Sequence, residues 1–512
     1  MQPLERRAWL VAAAAVALVA AAWRFETLAR RPLWLDERYT AHVVQKSADL
    51  AALWREAAAD QNLHPPLAYA PAWLAAHGAE SRQSLRMPAA IAGLASIALL
   101  AALGTRLFGR WTGLLAAFLM GISVYHVDFS QEARPYMVAL AFTLGAYTAL
   151  FGYLAEGRAR QLVGFALAAI GAVYTEHLAL AHVAVAAVIA TAHTVAGGRE
   201  ARARGRRVAL TFAAIALAVL PELPNLIGFA SAKGLAANHV LSLEPRVLHA
   251  LVQRWGSGTG WVTWLYEAAF VLGALRIGAR RDLVALGLLG WAAAPFAPFA
   301  LIPFSKYFDI RFLISALPVF FLAVAGGVGL AAEGARRLAT RAALAPRAAS
   351  ACAAAVLASA ALAFFVPAAA LYQRFRATDV RCGEFVVKPE IIEANERFCA
   401  EHLVLSTIYG PHQFIVRNLR PALALDASRL DAYVGAYAFE NGPRIEIRRR
   451  GDHLTAQREG QFEYDLLPES ETRFFYRVLG NGLIEFERDA GGSFDSLLLE
   501  GPSGYAHARR MR

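Results

Sequence analysis

Charge is scarce in this chain. Asp, Glu, Lys and Arg make up 18% of its 512 residues, where a soluble domain has about 25%. Cysteine is scarcer, with three in all. Cys352 lies in an apolar run and reads as packing. Cys382 and Cys399 lie in the polar C-terminal part. Oxidation there would let them pair if that part is extracytoplasmic, and their spacing does not decide it. Glycine-rich phosphate loops of the Walker or dinucleotide type are absent, which argues against ATP or a nucleotide sugar as direct donor. The His and Asp residues show no zinc spacing. No metal is assigned and no cofactor is required on this reading, although a divalent ion on Asp36, Glu37 or Glu132 stays open.

Apolar sequence is what the chain has in excess, at 57% hydrophobic. Runs near the spanning length of about 20 residues recur from the N-terminus to residue 371. The fold class is a polytopic α-helical membrane protein. The first run, Ala8–Ala22, follows Arg6-Arg7 as a signal peptide would. No small-residue cleavage site precedes Trp23-Arg24-Phe25, and many spans follow, so it reads as a retained helix.

The net charge of +11 is not a nucleic-acid signal. Basic residues sit in short clusters between spans: Arg6-Arg7, Arg106/Arg110, Arg158/Arg160, Arg199–Arg207, Arg280-Arg281, and Arg336-Arg337 with Arg341 and Arg347. This is the positive-inside pattern. Counting the run 66–77 as a crossing puts every later cluster on the wrong side. That run is short, begins at Pro65-Pro66 and is broken by Pro71, so it reads as a helix in the outer interface. Ser47–Ala59 reads as a second interfacial helix, with Leu50, Leu53, Trp54 and Ala57 on one face, Ser47 as its cap and Asp49 in its first turn. About eleven crossings remain, counted at about 20 residues each. They lie near 8–22, 87–105, 112–127, 135–154, 161–176, 178–195, 208–228, 261–277, 283–303, 312–331 and 349–371. The N-terminus is then cytoplasmic and the C-terminal part outside, which suits a bacterial cytoplasmic (inner) membrane. Asp36-Glu37, Tyr125–Tyr136, Glu176-His177 and Ser305–Arg311 share the outer face.

Three regions follow: 1–371 in the membrane, a mixed connector at 372–428, and a small domain at 429–512. From about Asp431, short alternating segments and turns such as Asn441-Gly-Pro, Arg450-Gly-Asp452 and Gly480-Asn-Gly482 read as antiparallel hairpins. Leu430–Tyr437, Phe474-Phe475 and Ile484–Phe486 resemble a lipocalin-like β module.

The acidic pair Asp36-Glu37 carries the functional signal, since carboxylates near apolar material default to chemistry or transport. Around it stand Trp34–Glu37, His64-Pro-Pro-Leu67, Gln131–Tyr136, Tyr174–His177 and Lys306–Phe312. In that order they resemble the GT-C glycosyltransferases of the dolichyl-phosphate-mannose protein mannosyltransferase family, whose bacterial relatives include the aminoarabinose transferase that modifies lipid A. The resemblance covers roughly residues 8–371 and is carried by the ordered set rather than by any one motif. It implies a polyprenyl-phosphate-linked sugar donor, inverting transfer outside the cytoplasmic membrane, and an acid of the first loop as base.

The residues suit that chemistry. A sugar on a lipid phosphate has a built-in leaving group, so transfer needs a base for the acceptor hydroxyl or amine. Asp36 takes that role, with Glu37 as helper or orienter. The plainer reading makes them a helix-starting pair with Asp36 as N-cap. Glu132 is the candidate second acid, competing with Asp128. Arg134 suits a donor phosphate, unless it only pairs with Glu132. Lys306 and Arg311, flanking Tyr307, suit the leaving phosphate, or else lipid headgroups. Tyr136 belongs to the same binding set. His64 either touches substrate or begins a turn. His177 is displaced in its motif by Glu176, so packing is an equal reading. A transporter or lipid flippase using the same carboxylates is the rival function, though no inverted repeat accompanies it. A scaffold presenting the β module is a third. Sugar and acceptor are not encoded legibly.

Overall fold

A computed structural model describes residues 3–30, 33, 35–59, 64–76, 81–227, 245–258, 260–298, 310–377, 423, 425–439, 444–458, 463–476, 483–489, 491–501 and 504–511. Trp34, Lys306, Tyr307, Cys382 and Cys399 lie outside them. The chain divides into two compact units. One comprises Met1–Ala232, Leu248–Ile302 and Asp309–Ala377; the other Lys233–Val247, Pro303–Phe308 and Thr378–Arg512.

The first unit is helical. Its early helices are α1 (Pro3–Phe25), α2 (Leu35–Lys46), α3 (Leu50–Ala59), α4 (Ala70–Ala76), α5 (Arg82–Phe108), α6 (Arg110–Ile122) and α7 (Val124–Ser130). Then come α8 (Tyr136–Glu156), α9 (Ala159–Val173), α10 (Ala179–Ala196), α11 (Arg199–Ala203) and α12 (Gly205–Val219). The last are α13 (Pro245–Gly256), α14 (Trp261–Gly278), α15 (Leu283–Ala293), α16 (Leu317–Arg341) and α17 (Pro346–Ala377). Among the described residues seven helices are long and apolar enough to cross a membrane, up to eight if α6 and α7 form one broken span. Each falls on an expected crossing. The crossings expected at 161–176 and 283–303 correspond to shorter apolar helices, and the one at 261–277 to α14, which is not among the seven. The apolar part of α16 is almost wholly buried while that of α17 has few buried residues, so α16 is the hub and α17 lies on the periphery.

Four local expectations need correction. The crossing at 112–127 is bent by 65° between α6 and α7. The freed backbone groups are paired inside the protein, as an apolar medium demands. Arg24 donates to the Gly121 carbonyl at 3.1 Å and Ser257 Oγ accepts from Val124 N–H at 2.7 Å. Second, Ser47 is not the cap of α3. It bonds back to the Val43 carbonyl at 2.6 Å, ending α2, and Asp49 Oδ1 accepts the Ala52 N–H at 2.7 Å. Third, the run 66–77 is a single 3-10 turn, Pro66–Ala68, followed by α4; Pro71 sits in the first turn of α4, where its missing N–H is not needed. Fourth, the final helix runs on to Ala377, six residues into the expected connector.

Helices α14 and α16 approach closely because small residues face each other at four-residue spacing. A Cβ on Gly273 would lie 1.7 Å from the Ala323 carbonyl oxygen, and one on Gly327 1.9 Å from that of Ala269.

The second unit holds a closed eight-stranded antiparallel barrel in meander order. Its strands are β1 (Gly435–Phe439), β2 (Ile445–Arg450), β3 (His453–Arg458), β4 (Glu463–Pro468), β5 (Arg473–Tyr476), β6 (Leu483–Arg488), β7 (Phe494–Gly501) and β8 (Gly504–Arg510). Closure of β8 on β1 leaves no open sheet edge. The inward positions Ile445, Ile447, Leu454, Leu466, Ile484, Phe486 and Leu497 are buried. Tyr433 stacks on Phe494 at 4.4 Å and meets Phe474 and Phe486 edge-on. The interior is a packed core of the kind small barrels form.

The α14–α16 contact gives opposite expectations at two glycines. Gly273→Ala forces the helices apart and costs about 1–3 kcal/mol. Gly334→Ala on α16, where nothing lies within 4 Å, leaves stability unchanged or raises it by up to about 1 kcal/mol. Thermal unfolding of the purified protein in detergent distinguishes the two.

Candidate functional site

Asp36 and Glu37 stand in the first turn of α2, where negative charge is favoured by the helix dipole. As neighbours on a helix they point about 100° apart, given 3.6 residues per turn, and they meet different partners.

Glu37 is fully buried. Arg86 of α5 donates Nε to its Oε1 at 2.7 Å and Nη2 to its Oε2 at 2.6 Å. Ala133 N–H, in the loop after α7, donates to Oε1 at 2.7 Å. Arg86 also donates to the Leu28 carbonyl at 3.0 Å. One bidentate ion pair therefore ties α2, α5, the end of α1 and the 131–135 loop together. Both oxygens of Glu37 are occupied by donors, which suits an orienting role better than that of a base.

Asp36 is 18% exposed, and its Oδ2 accepts from Arg311 Nη1 at 2.5 Å. Arg311 lies in the 3-10 turn Ile310–Ala316, and its guanidinium stands 5.9 Å over the ring of Tyr136. Arg134, also buried, donates to the Asp36 backbone carbonyl at 3.2 Å and to Thr40 Oγ1 at 3.4 Å. Its Nη2 meets His64 Nε2 at 2.5 Å, and His64 Nδ1 lies 3.6 Å from the Glu176 carboxylate. With Nε2 accepting from a guanidinium, the ring proton of neutral His64 sits on Nδ1, toward Glu176. Burial opposes the charge on Arg134. The field of Asp36, followed by those of Tyr136, Tyr69 and Glu132, more than restores it, so the guanidinium holds its proton more tightly than usual.

Asp36, Glu37, Glu132, Arg134, Tyr136, His64 and Arg311 thus occupy one end of the helical unit. Glu132 is buried, and its backbone carbonyl accepts from Arg134 N–H at 2.8 Å. His177 is buried against Glu222 at 3.4 Å, and within the Tyr174–His177 run it is Glu176 that reaches His64. Behind Arg311 a cavity of about 30 Å³ is lined in part by Tyr136, Thr143, Glu176, His182 and Ser315. That volume suits a water molecule. Among the described residues no group of three His, Cys, Asp or Glu side chains could hold a metal ion.

Two members escaped the sequence reading. Arg86 carries the only cation in the first stretch of α5 that is both buried and bidentate to a carboxylate among the described residues. His182 of α10 bonds Ser315 Oγ at 2.9 Å and lies edge-on to Tyr147, which stacks on Trp291 at 4.2 Å. Both are ionisable residues within or beside apolar runs, and that was the available signal.

Breaking the Glu37 pair on one side leaves a buried charge. Arg86→Met should cost about 3–5 kcal/mol. Glu37→Gln on top of it removes that charge while keeping an acceptor for Ala133 N–H, so the double variant should be more stable than Arg86→Met alone. A double-mutant cycle on thermal unfolding checks the sign.

Residues 63–227 match the dolichyl-phosphate-mannose-protein mannosyltransferase family, and residues 419–508 match a domain of unknown function, DUF3471. The apo oligosaccharyltransferase of Archaeoglobus fulgidus superposes with a TM-score of 0.51 at 14% identity, over 79% of this chain and 60% of that one. The structure of ArnT from Cupriavidus metallidurans bound to undecaprenyl phosphate gives a TM-score of 0.47 at 15% identity, over 78% of this chain and 76% of that one. Penicillin-binding protein 4* of Bacillus subtilis (strain 168) is 33% identical over 101 residues, 19% of this chain and 21% of that protein; the chain thus matches only about a fifth of that relative's length. The helical unit has the fold of the GT-C membrane glycosyltransferases and carries, over residues 63–227, the sequence pattern of the dolichyl-phosphate-mannose-protein mannosyltransferases.

Proposed function

We propose that the chain transfers a sugar from a polyprenyl-phosphate donor to an acceptor hydroxyl or amine at the extracytoplasmic face of a bacterial inner membrane, with inversion. The observation that carries this reading is the Asp36–Arg311 pair beside Arg134: a partly exposed carboxylate bound to one guanidinium and flanked by a second. The match of residues 63–227 to transferases named for a lipid-phosphate sugar supports the donor class.

The acceptor oxygen or nitrogen attacks the anomeric carbon, and its proton passes to the Asp36 carboxylate. The bond from the anomeric carbon to the phosphate oxygen breaks, and its electron pair leaves on the phosphate. Arg311 and Arg134 meet that developing charge. In the resting arrangement Arg311 occupies Asp36. A donor phosphate competes for the same planar fork, so donor binding would free the base at the moment it is needed. Glu37 acts as a positioning residue through Arg86. Glu132 supports the charge on Arg134, and Tyr136 and His64 shape the phosphate side. His177, paired with Glu222, serves packing. The cations in this scheme are side chains, so it requires no bound metal.

Asp36→Asn keeps size and polarity and removes the base. Transfer should fall by about 10²–10⁴-fold or more, with protein level kept. The readout is polyprenyl phosphate released on incubation with a panel of polyprenyl-phosphate sugars. Turnover at the wild-type rate would overturn the assignment.

A further inference from the structure

Helices α8 and α10 both begin beside the candidate site, at Tyr136 and Ala179, and end at Glu156 and Ala196. At 1.5 Å per residue their far ends lie about 30 Å away. There, between those ends and the α14–α15 turn, opens a second and larger cavity of about 730 Å³. It falls in the range of about 300–1,000 Å³ typical of small-molecule sites. Its wall is mainly apolar, with Phe151, Leu154, Leu283, Leu286 and Leu289 among its residues, and its polar members are His193, Arg281 and Asp282. Leu286 and Leu289 are half exposed, so the apolar wall continues onto the outer surface of the bundle.

The charge at the mouth is not balanced. Asp282 caps α15 by accepting the Ala285 N–H at 2.8 Å and pairs with Arg280 at 3.0 Å. Two arginines thus stand beside one carboxylate, and among the described residues Arg281 has no ion-pair partner of its own. Arg281 holds a left-handed backbone, φ 51°, a conformation that L side chains rarely adopt. The same end of the bundle carries the other basic clusters: Arg106 and Arg158 both reach Glu156, and Arg280 reaches the Leu107 carbonyl at 3.3 Å.

We propose that this cavity binds one anionic phospholipid from the leaflet at the basic end of the helical unit, with an acyl chain on the Phe151–Leu289 wall and the phosphate at Arg281. A lateral apolar opening fits a hydrocarbon chain, and an uncompensated cation at its mouth fits an anionic headgroup; basic pockets between helices are known to serve this purpose. A zwitterionic lipid satisfies only the first requirement, and a free phosphate only the second. The site is separate from the acidic one and does not depend on the transfer reaction.

The test uses the full chain in detergent, titrated with phosphatidylglycerol or phosphatidylcholine, with retained lipid counted by native mass spectrometry. Arg281→Asn removes the charge with a residue that tolerates the left-handed backbone. Leu286→Trp fills the wall from an exposed position. Wild type should retain phosphatidylglycerol preferentially. Arg281→Asn should bind it about fivefold more weakly, the loss expected for about 1 kcal/mol from one cation at a membrane surface, and Leu286→Trp should also lose it. Equal retention by wild type and either variant would overturn the proposal. So would sn-glycerol 3-phosphate competing as well as the lipid, since that ligand lacks a chain.

Discussion

A carboxylate in apolar surroundings must be paired, and the Glu37–Arg86 ion pair is where this constraint organises the helical unit. Four pieces of backbone converge on it: α2, α5, the end of α1 and the loop at Ala133. The pair fixes the rotation of α2 about its axis. That rotation points the neighbouring Asp36 at Arg311, 275 positions later in the chain. The two acids look equivalent in sequence and are unlike in the fold. One is buried and held by donors on both oxygens; the other is partly exposed and pairs with Arg311.

The same rule explains the broken span. An uninterrupted helix over 110–130 would carry the chain past the site. The 65° bend instead delivers α7 toward it and lets the 131–135 loop bring Glu132 and Arg134 beside α2. Breaking a helix exposes carbonyls and amides that lipid cannot satisfy. Arg24 covers one, and the hydroxyls of Ser123 and Ser257 cover the join with α13 and the turn after it. His126 accepts from Arg24 at 2.8 Å and meets Ser96 at 3.0 Å, which anchors the bend to α1 and α5.

Much of this was legible in the sequence, because hydropathy, basic clusters and acidic outliers act over short range. The membrane helices, the non-spanning run at 66–77 and the β module all follow from local patterning. The bend at Ser123 did not, since the position of the break depends on Arg24 and Ser257 from elsewhere in the chain. Ser47 looked like a cap because it precedes the apolar stripe, yet its hydroxyl finds the Val43 carbonyl of the helix before it. Strands β3, β4 and β8 carry Gln, Arg, Glu and His among their apolar positions, which blurred the alternation. At the site, Asp36, Arg134 and Arg311 stood out as charges near apolar runs. Arg86 and His182 did not, because their importance lies in partners 49 and 133 residues away.

In the proposed reaction Arg311 moves from Asp36 to a lipid phosphate. A structure of the full chain with polyprenyl phosphate bound measures this directly. The expected structure has the phosphate within hydrogen-bond distance of Arg311 and Arg134, with the Asp36 carboxylate released toward the acceptor side, away from the phosphate. A phosphate bound elsewhere, with the Asp36–Arg311 pair intact, would contradict it.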